Sequence, residues 1–394
     1  MNRIFSIIAF ILIVFFTYGF YLSQFQFDFV DRKPTAMSLY YSYQINQNIH
    51  SNMSLGSGSV PEILEDAQKI QNDFLMITDL NYKVDLEHDR YMDRVGILFA
   101  SKFLTEFGRY IFYSNTVKTA KSVNEEMTDF FQTNKKTSLI FQAHPLDKEF
   151  NEEFLKKQNL NGIEVINLKK MTQQSWDTNK ISTIWSLLFY PFNPKLALIR
   201  LFNEPDKELE TFDNISQEKK FVMYLGSEAS ARAIPFADWL VRFPTYERTL
   251  GIASQHLVLD SELTGNIDKD GKDIQVALSN GNFFLAFDAL GNASGFEAYI
   301  SDEDNNKYYK IGEAVPFRND LKLVFNFSEP NVFYEIILFK DGKRKDHFNT
   351  FTGWFNIKEP GVYRIEVRLS ARLPFPDVNK WIGWIYTNNF TVKL

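Results

Sequence analysis

The sequence predicts an α/β protein: a parallel barrel or sheet, then a small antiparallel β-sandwich, all preceded by one transmembrane helix. Three observations carry this. Strand-length apolar runs alternate with segments of helical spacing through residues 38–225, the pattern of repeated βα units. From about residue 256 the period shifts to two, with short alternating segments separated by turn residues. At the N-terminus, Ile4 to Leu22 is almost entirely apolar.

Composition sets the outer limits. A chain of 394 residues with 45% hydrophobic and 23% charged residues can bury two cores and is not disordered as a whole. A net charge of -6 gives no basic face, so nucleic acid is excluded as an expected partner. There is no cysteine, which removes disulfides, thiolate metal sites and cysteine nucleophiles. The 39 phenylalanines predict cores and grooves lined by rings.

Taken in order, the apolar run 4–22 is long enough to cross a bilayer as one helix. Bulky Phe20, Tyr21 and Leu22 stand where a signal-peptide cleavage site would need small residues, which favours an uncleaved anchor over a secreted product. Arg3 predicts a cytoplasmic N-terminus and an extracytoplasmic body, periplasmic or at the cell surface; Arg32 and Lys33 weigh against that. Residues 1–34 are therefore assigned to anchor and stalk. Ser59-Val60-Pro61-Glu62 is a capping box opening a helix whose Ile63, Leu64, Ala67 and Ile70 share one face. Phe74–Thr78 reads as a strand buried on both faces.

The unit then repeats. Strands are expected at 95–99 and 110–113, a helix over 117–131, and a strand at 138–141. A helix over 148–158, a strand at 162–166, a helical excursion over 170–218 and a strand at 220–225 follow. Prolines and charges within 184–202 favour groove-lining helices over a second span. Asp268–Asp273 is expected to be a solvated turn, and Asp341-Gly342 a hairpin turn. The barrel is assigned to 35–290 and the sandwich to 291–394.

In parallel α/β folds, chemistry collects at the C-terminal ends of strands. That rule selects Asp79 and Asn81, Lys102 to Arg109, His144, Asn167 and Glu228. Glu164 lies in mid-strand and is expected to bond backbone at the pocket floor. His88, His256 and His347 have no partner pattern and are expected to be ordinary residues.

In order along the chain stand Asn48-Ile49-His50, Ser54-Leu55-Gly56, Thr78-Asp79-Leu80-Asn81, Ala143-His144-Pro145, Gly162 to Asn167, Gly226-Ser227-Glu228-Ala229-Ser230, and the late Leu278–Gly281 and Trp381–Asn389. Together these motifs resemble the PHP (polymerase and histidinol phosphatase) superfamily, more narrowly its CehA-like branch of metallohydrolases. The resemblance implies a distorted (β/α)7 barrel and hydrolysis of phosphate or other esters with two or three divalent metals. It also implies that Asn48, Leu55, Leu80 and Ser230 stand where the family has ligands, and that Lys102 and Arg109 replace others; a shifted alignment would bring in Glu106. Leucine offers no lone pair.

The expectation is thus a membrane-anchored pseudoenzyme that binds or scaffolds, with no cofactor. Its remnant pocket would hold His50, Asp79, Asn81, Lys102, Arg109, His144, Glu164, Asn167 and Glu228, and its partner would be an anionic small molecule or a protein. The alternative is a hydrolase with one zinc or manganese on His50, His144 and Glu228 and with Asp79 as base, since three ligands and a water suffice. In a second alternative the sandwich is an interaction module carried by an inert barrel.

Overall fold

A computed structural model describes residues 2–27, 29–30, 38–80, 88–105, 108–114, 138–145, 152–236, 239–375 and 380–394. The chain begins with helix α1 (Asn2–Ser23) and continues through β1 (Tyr41–Ile49), α2 (Val60–Lys69), β2 (Phe74–Leu80), β3 (Arg90–Met92), β4 (Val95–Thr105), β5 (Gly108–Tyr113) and β6 (Leu139–Ala143). Next come α3 (Glu152–Lys157), β7 (Gly162–Asn167) and a helical excursion: α4 (Leu168–Thr178), α5 (Lys180–Phe189), α6 (Pro194–Ile199) and α7 (Asp206–Ser216). Strand β8 (Val222–Gly226) precedes the hairpin β9 (Ala233–Phe236) and β10 (Trp239–Arg242), then α8 (Tyr246–Leu250), β11 (Ser254–Leu259), α9 (Ile267–Asn280) and β12 (Phe283–Ala286). The remainder is β13 (Glu297–Asp302), β14 (Lys307–Lys310), β15 (Ala314–Pro316), β16 (Lys322–Asn326), β17 (Phe333–Lys340), β18 (Lys343–Phe348), β19 (Thr352–Asn356), β20 (Gly361–Ala371), β21 (Lys380–Thr387) and β22 (Phe390–Lys393).

Among the described residues these strands form one large mixed sheet, a four-stranded sheet β14-β13-β16-β19, and the β9–β10 pair. Strands β1, β2 and β4 run parallel, as do β6, β7 and β8. Between them β5 is antiparallel to both β4 and β6. Beyond β8, the chain returns to β1: Ser227 N–H donates to the Gln47 carbonyl at 3.0 Å, and His50 N–H to the Ala229 carbonyl at 2.9 Å. On the other side β11 is antiparallel to β1, and β12 carries the sheet on to β21 and β20. Hydrogen bonding therefore runs without a break from the α/β part into the C-terminal strands.

Local chemistry accounts for the elements. Ser59 precedes α2, and its N–H donates to the Glu62 carboxylate at 2.8 Å, closing half of the capping box. In β2 the side chains of Phe74, Leu75, Met76 and Ile77 are all buried, each worth about 1.5–3 kcal/mol of transfer free energy. Asp341 and Gly342 both have positive φ, 50° and 75°, and turn β17 into β18 as a type I′ pair.

Three expectations are corrected. Lys102 and Arg109 are not beyond strand ends: β4 continues to Thr105 and β5 starts at Gly108, because the two form a hairpin. The described part of the expected stalk, residues 24–27, 29 and 30, does not stand off, since Phe27, Phe29 and Val30 are buried and Asn331 N–H donates to the Phe29 carbonyl. Asp268–Asp273 lies inside α9, where Asn266 caps the first turn and Asp270 accepts from Thr264 and Gly265. His256, expected to be an ordinary surface or core residue, is fully buried, with Nε2 2.9 Å from Asp288 Oδ1. The helix expected over 117–131, together with Asn81 and Glu106, lies outside the described residues.

Candidate functional site

Three residues with left-handed backbone build the site. Asn48 (φ 58°) sits where β1 loses register with β2, and such an irregularity re-aims a side chain out of its ordinary pleat. His144 (φ 52°) follows β6, and Glu228 (φ 46°) follows β8. Non-glycine residues held this way cost roughly 1–3 kcal/mol each and persist only where surrounding contacts dictate them.

Those contacts centre on Glu228. Its Oε1 accepts from Lys102 Nζ at 3.3 Å and from Lys169 Nζ at 3.2 Å, and Arg109 Nη1 stands 3.9 Å away. Its Oε2 lies 2.6 Å from His144 Nε2. Lys102 comes from mid-β4 with its side chain wholly buried, and also donates to Asn48 Oδ1 at 3.0 Å. Asn48 Nδ2 donates in turn to Glu164 Oε1 at 2.7 Å, and Asn167 Nδ2 to Glu164 Oε2 at 2.8 Å. Asn167 also caps α4, accepting from Lys170 N–H. Glu164 therefore bonds side chains at the floor, not backbone.

Electrostatics follow from burial. Desolvation pushes Glu228 up, but His144, Lys102 and Lys169 together overcome it and hold the carboxyl well below its ordinary value. Desolvation lowers Lys102, with Glu228 and Glu164 pulling the other way. Glu164, fully buried, is raised by desolvation despite the nearby cations. Burial, with help from the Lys102 charge, lowers His50 to about 3. Both of its ring nitrogens are buried without a geometrically sound hydrogen bond, although the Thr78 backbone favours the charged ring slightly.

Of the residues chosen from sequence, His50, Lys102, Arg109, His144, Glu164, Asn167 and Glu228 belong to this one polar cluster. Asp79 serves a different purpose: it accepts from Ser51 N–H at 2.9 Å, from the Ser51 hydroxyl at 2.5 Å and from the Ser54 hydroxyl, tying down the loop after β1. Among the described residues no three His, Asp or Glu side chains are grouped to hold a metal ion. Sequence reasoning missed Lys169, two positions past Asn167, because a lysine in the first turn of a helix carries no distinguishing signal. It also missed Asn48 as the partner of Lys102.

Beside the cluster lies a cavity of about 250 Å³. Leu168, Thr172, Leu187, Leu198 and Phe202 form its apolar wall, and Lys169 and Glu228 line its edge toward the cluster.

No protein-family model matches the chain, and no curated protein does. Among solved structures, the chain is similar to a two-domain protein from Bacteroides vulgatus ATCC 8482 described as containing a predicted PHP-like metal-dependent phosphoesterase. That match has a TM-score of 0.41 and 11% identity, and covers 91% of this chain and 98% of the other. At that distance the functional reading rests on the residues of this chain.

Proposed function

We propose that the chain is a membrane-anchored, PHP-like binding protein whose ancestral metal site has become a salt-bridged core. The anchor is α1, of which Arg3–Ser23 is long and apolar enough to span a bilayer, with mean hydropathy 2.3. Arg3 supports an extracytoplasmic body. The return of the chain after β8 onto β1 supports reading the α/β part as a distorted barrel, with the C-terminal strands as an appended β module.

The observation that carries the proposal is the position of Lys102 Nζ, 3.3 Å from Glu228 and 3.0 Å from Asn48, among the residues that the resemblance assigns to metal. This donor set does not fit a divalent cation. A unit charge near ~4 Å costs about 4 kcal/mol at an effective dielectric near 20, and a dication beside Lys102 would meet roughly twice that. Glu228 is meanwhile occupied by its own cations. Ligand binding then falls to the neighbouring cavity, whose walls suit a small, mainly apolar molecule with one polar end at Lys169.

One observation favours a second reading. His50 is buried with both ring nitrogens unengaged, as an open ligand position would be. With His144 and Glu228 it would form a reduced single-metal hydrolase site, although Asp79 is too committed to Ser51 and Ser54 to act freely as base. Metal analysis of the purified full chain after incubation with zinc or manganese, alongside phosphodiester and carboxylester turnover, separates the two. Substoichiometric metal and no turnover are expected. One metal per chain, lost in His144→Ala together with activity, would establish the hydrolase instead.

A further inference from the structure

The excursion between β7 and β8, one helix of which lends Leu187 to the cavity, also turns an apolar face outward. Helix α5 (Lys180–Phe189) leaves Ile181 81% and Leu188 54% exposed, with Ile184 and Leu187 between them nearly half exposed. These positions make an apolar stripe along a helix that has no acidic side chain and only Lys180 as a charge. Just before it, Trp176 is also exposed, the residue type that favours a membrane–water interface.

The flank of α5 next to this stripe packs on α1. Phe15 meets Phe189 at 5.0 Å between ring centroids, and Tyr18 meets Phe189 at 5.2 Å and Trp185 at 6.4 Å. Phe192, just past α5, lies against Phe15 and against Gly19, where even a Cβ would come within 2.7 Å of the ring. Asn193 then donates to the carbonyls of Leu22 and Phe25. The body-facing residues of α1 are thus Phe15, Tyr18, Gly19 and Leu22, one helical face.

Length decides what this packing means. At 1.5 Å per residue, the free part of α1 from Arg3 to Val14 spans about 18 Å, well short of a hydrocarbon core of about 30 Å. The span is completed only if the part packed on the body, from Phe15 to Ser23, about 14 Å, also lies within the bilayer. Whatever touches Phe15 is then at acyl-chain depth. We propose that α5 is a second membrane element, seated in the leaflet on the body's side, with Ile181, Ile184 and Leu188 against lipid acyl chains. Depths of about 5–10 Å are usual for helices lying in an interface. Exposed Phe375, whose carbonyl accepts from the Tyr18 hydroxyl, belongs to the same immersed surface.

This inference rests on α1 being a membrane span, and the test keeps the two apart. Because the chain has no cysteine, single substitutions Ile8→Cys, Ile184→Cys, Leu188→Cys and Lys343→Cys each give one labelling position in an otherwise native full-length chain. Each variant is labelled with an environment-sensitive fluorophore and reconstituted in phosphatidylcholine–phosphatidylglycerol vesicles containing nitroxide-labelled phosphatidylcholine. All four positions are exposed in the protein, so folding is preserved, and an unchanged melting temperature checks it. The labels at residues 8, 184 and 188 should lose most of their fluorescence to the lipid nitroxide, while the label at 343 keeps its own. Quenching at 8 with none at 184 and 188 leaves the anchor standing and overturns the immersed helix. A blue-shifted but unquenched label at 184 would mean that protein, such as a second copy of the chain, covers the face, and also overturns it. No quenching at 8 overturns both.

Discussion

His50 and Glu228 both resist protonation in the folded chain, and both make the fold sensitive to acid. His50 is held at about 3 in the folded chain against 6.5 when unfolded, so the unfolded state binds its proton first. Stability from this group is intact above 6.5 and falls as pH drops from 6.5 toward 3, by up to about 1.4 kcal/mol per pH unit. Glu228 adds its own loss only below the ordinary carboxylate range, since its folded value is depressed. Melting temperature measured from pH 7 to pH 4 should therefore decline in the native chain and decline less in His50→Asn. An equal slope in both would refute the assignment. Lys102 is the other residue-scale test. Lys102→Met leaves Glu228 short of one buried partner and should destabilise by about 3 kcal/mol in denaturant titration. Adding Glu228→Gln should recover part of that loss, because the uncompensated charge is then gone.

At the scale of elements, two strand ends are fitted to one another with little slack. A Cβ on Gly226, the last residue of β8, would stand 2.1 Å from Glu164 Oε1 on β7. Glu164 cannot swing aside, because Asn48 and Asn167 hold both of its oxygens. Gly226→Ala is expected to cost about 1–3 kcal/mol, as overpacked sites do. Asn167→Ala removes the cap of α4 as well as a bond to Glu164, and its loss should exceed the ~1 kcal/mol typical of a cap alone. Thermal unfolding of both variants measures these costs, and neither should alter the α1–α5 contact.

Across the whole molecule, the C-terminal strands are locked to the α/β part twice over. The sheet passes from β12 into β21, and Arg364 on β20 grips Asp213 on α7 through Nε and Nη2, both at 2.8 Å. Arg364 also donates to Glu366 at 2.7 Å and stacks over Phe339. Desolvation opposes the Arg364 charge, but Asp213 and Glu366 more than offset it. Arg364→Met strands Asp213 and Glu366 inside the interface and should destabilise by about 3–5 kcal/mol. One continuous sheet also predicts one cooperative unfolding transition for the chain beyond α1, observable by calorimetry; two resolved transitions would show that the β module folds independently.

The sequence by itself determined the local features. The apolar run of α1, the Ser59 start of α2, the buried strands at Phe74 and Gly162, and the Asp341-Gly342 turn all depend on neighbours within a few residues. The α9 helix was not read, because its acidic start at 268–273 resembles a solvated turn. Tertiary structure alone decided what the site residues do. Lys102 was expected beyond the end of a short strand, and only pairing with β5 extends that strand and aims its amine at Glu228, 126 residues away in sequence. Lys169 joined the cluster without any local mark, and Asp79 left it for Ser51 and Ser54. The immersion of α5 likewise depends on what packs against α1. The division has one physical cause: caps, turns and periodicity are set by short-range sterics and hydrogen bonds, whereas a buried charge acquires its role from partners that only the folded chain brings within reach.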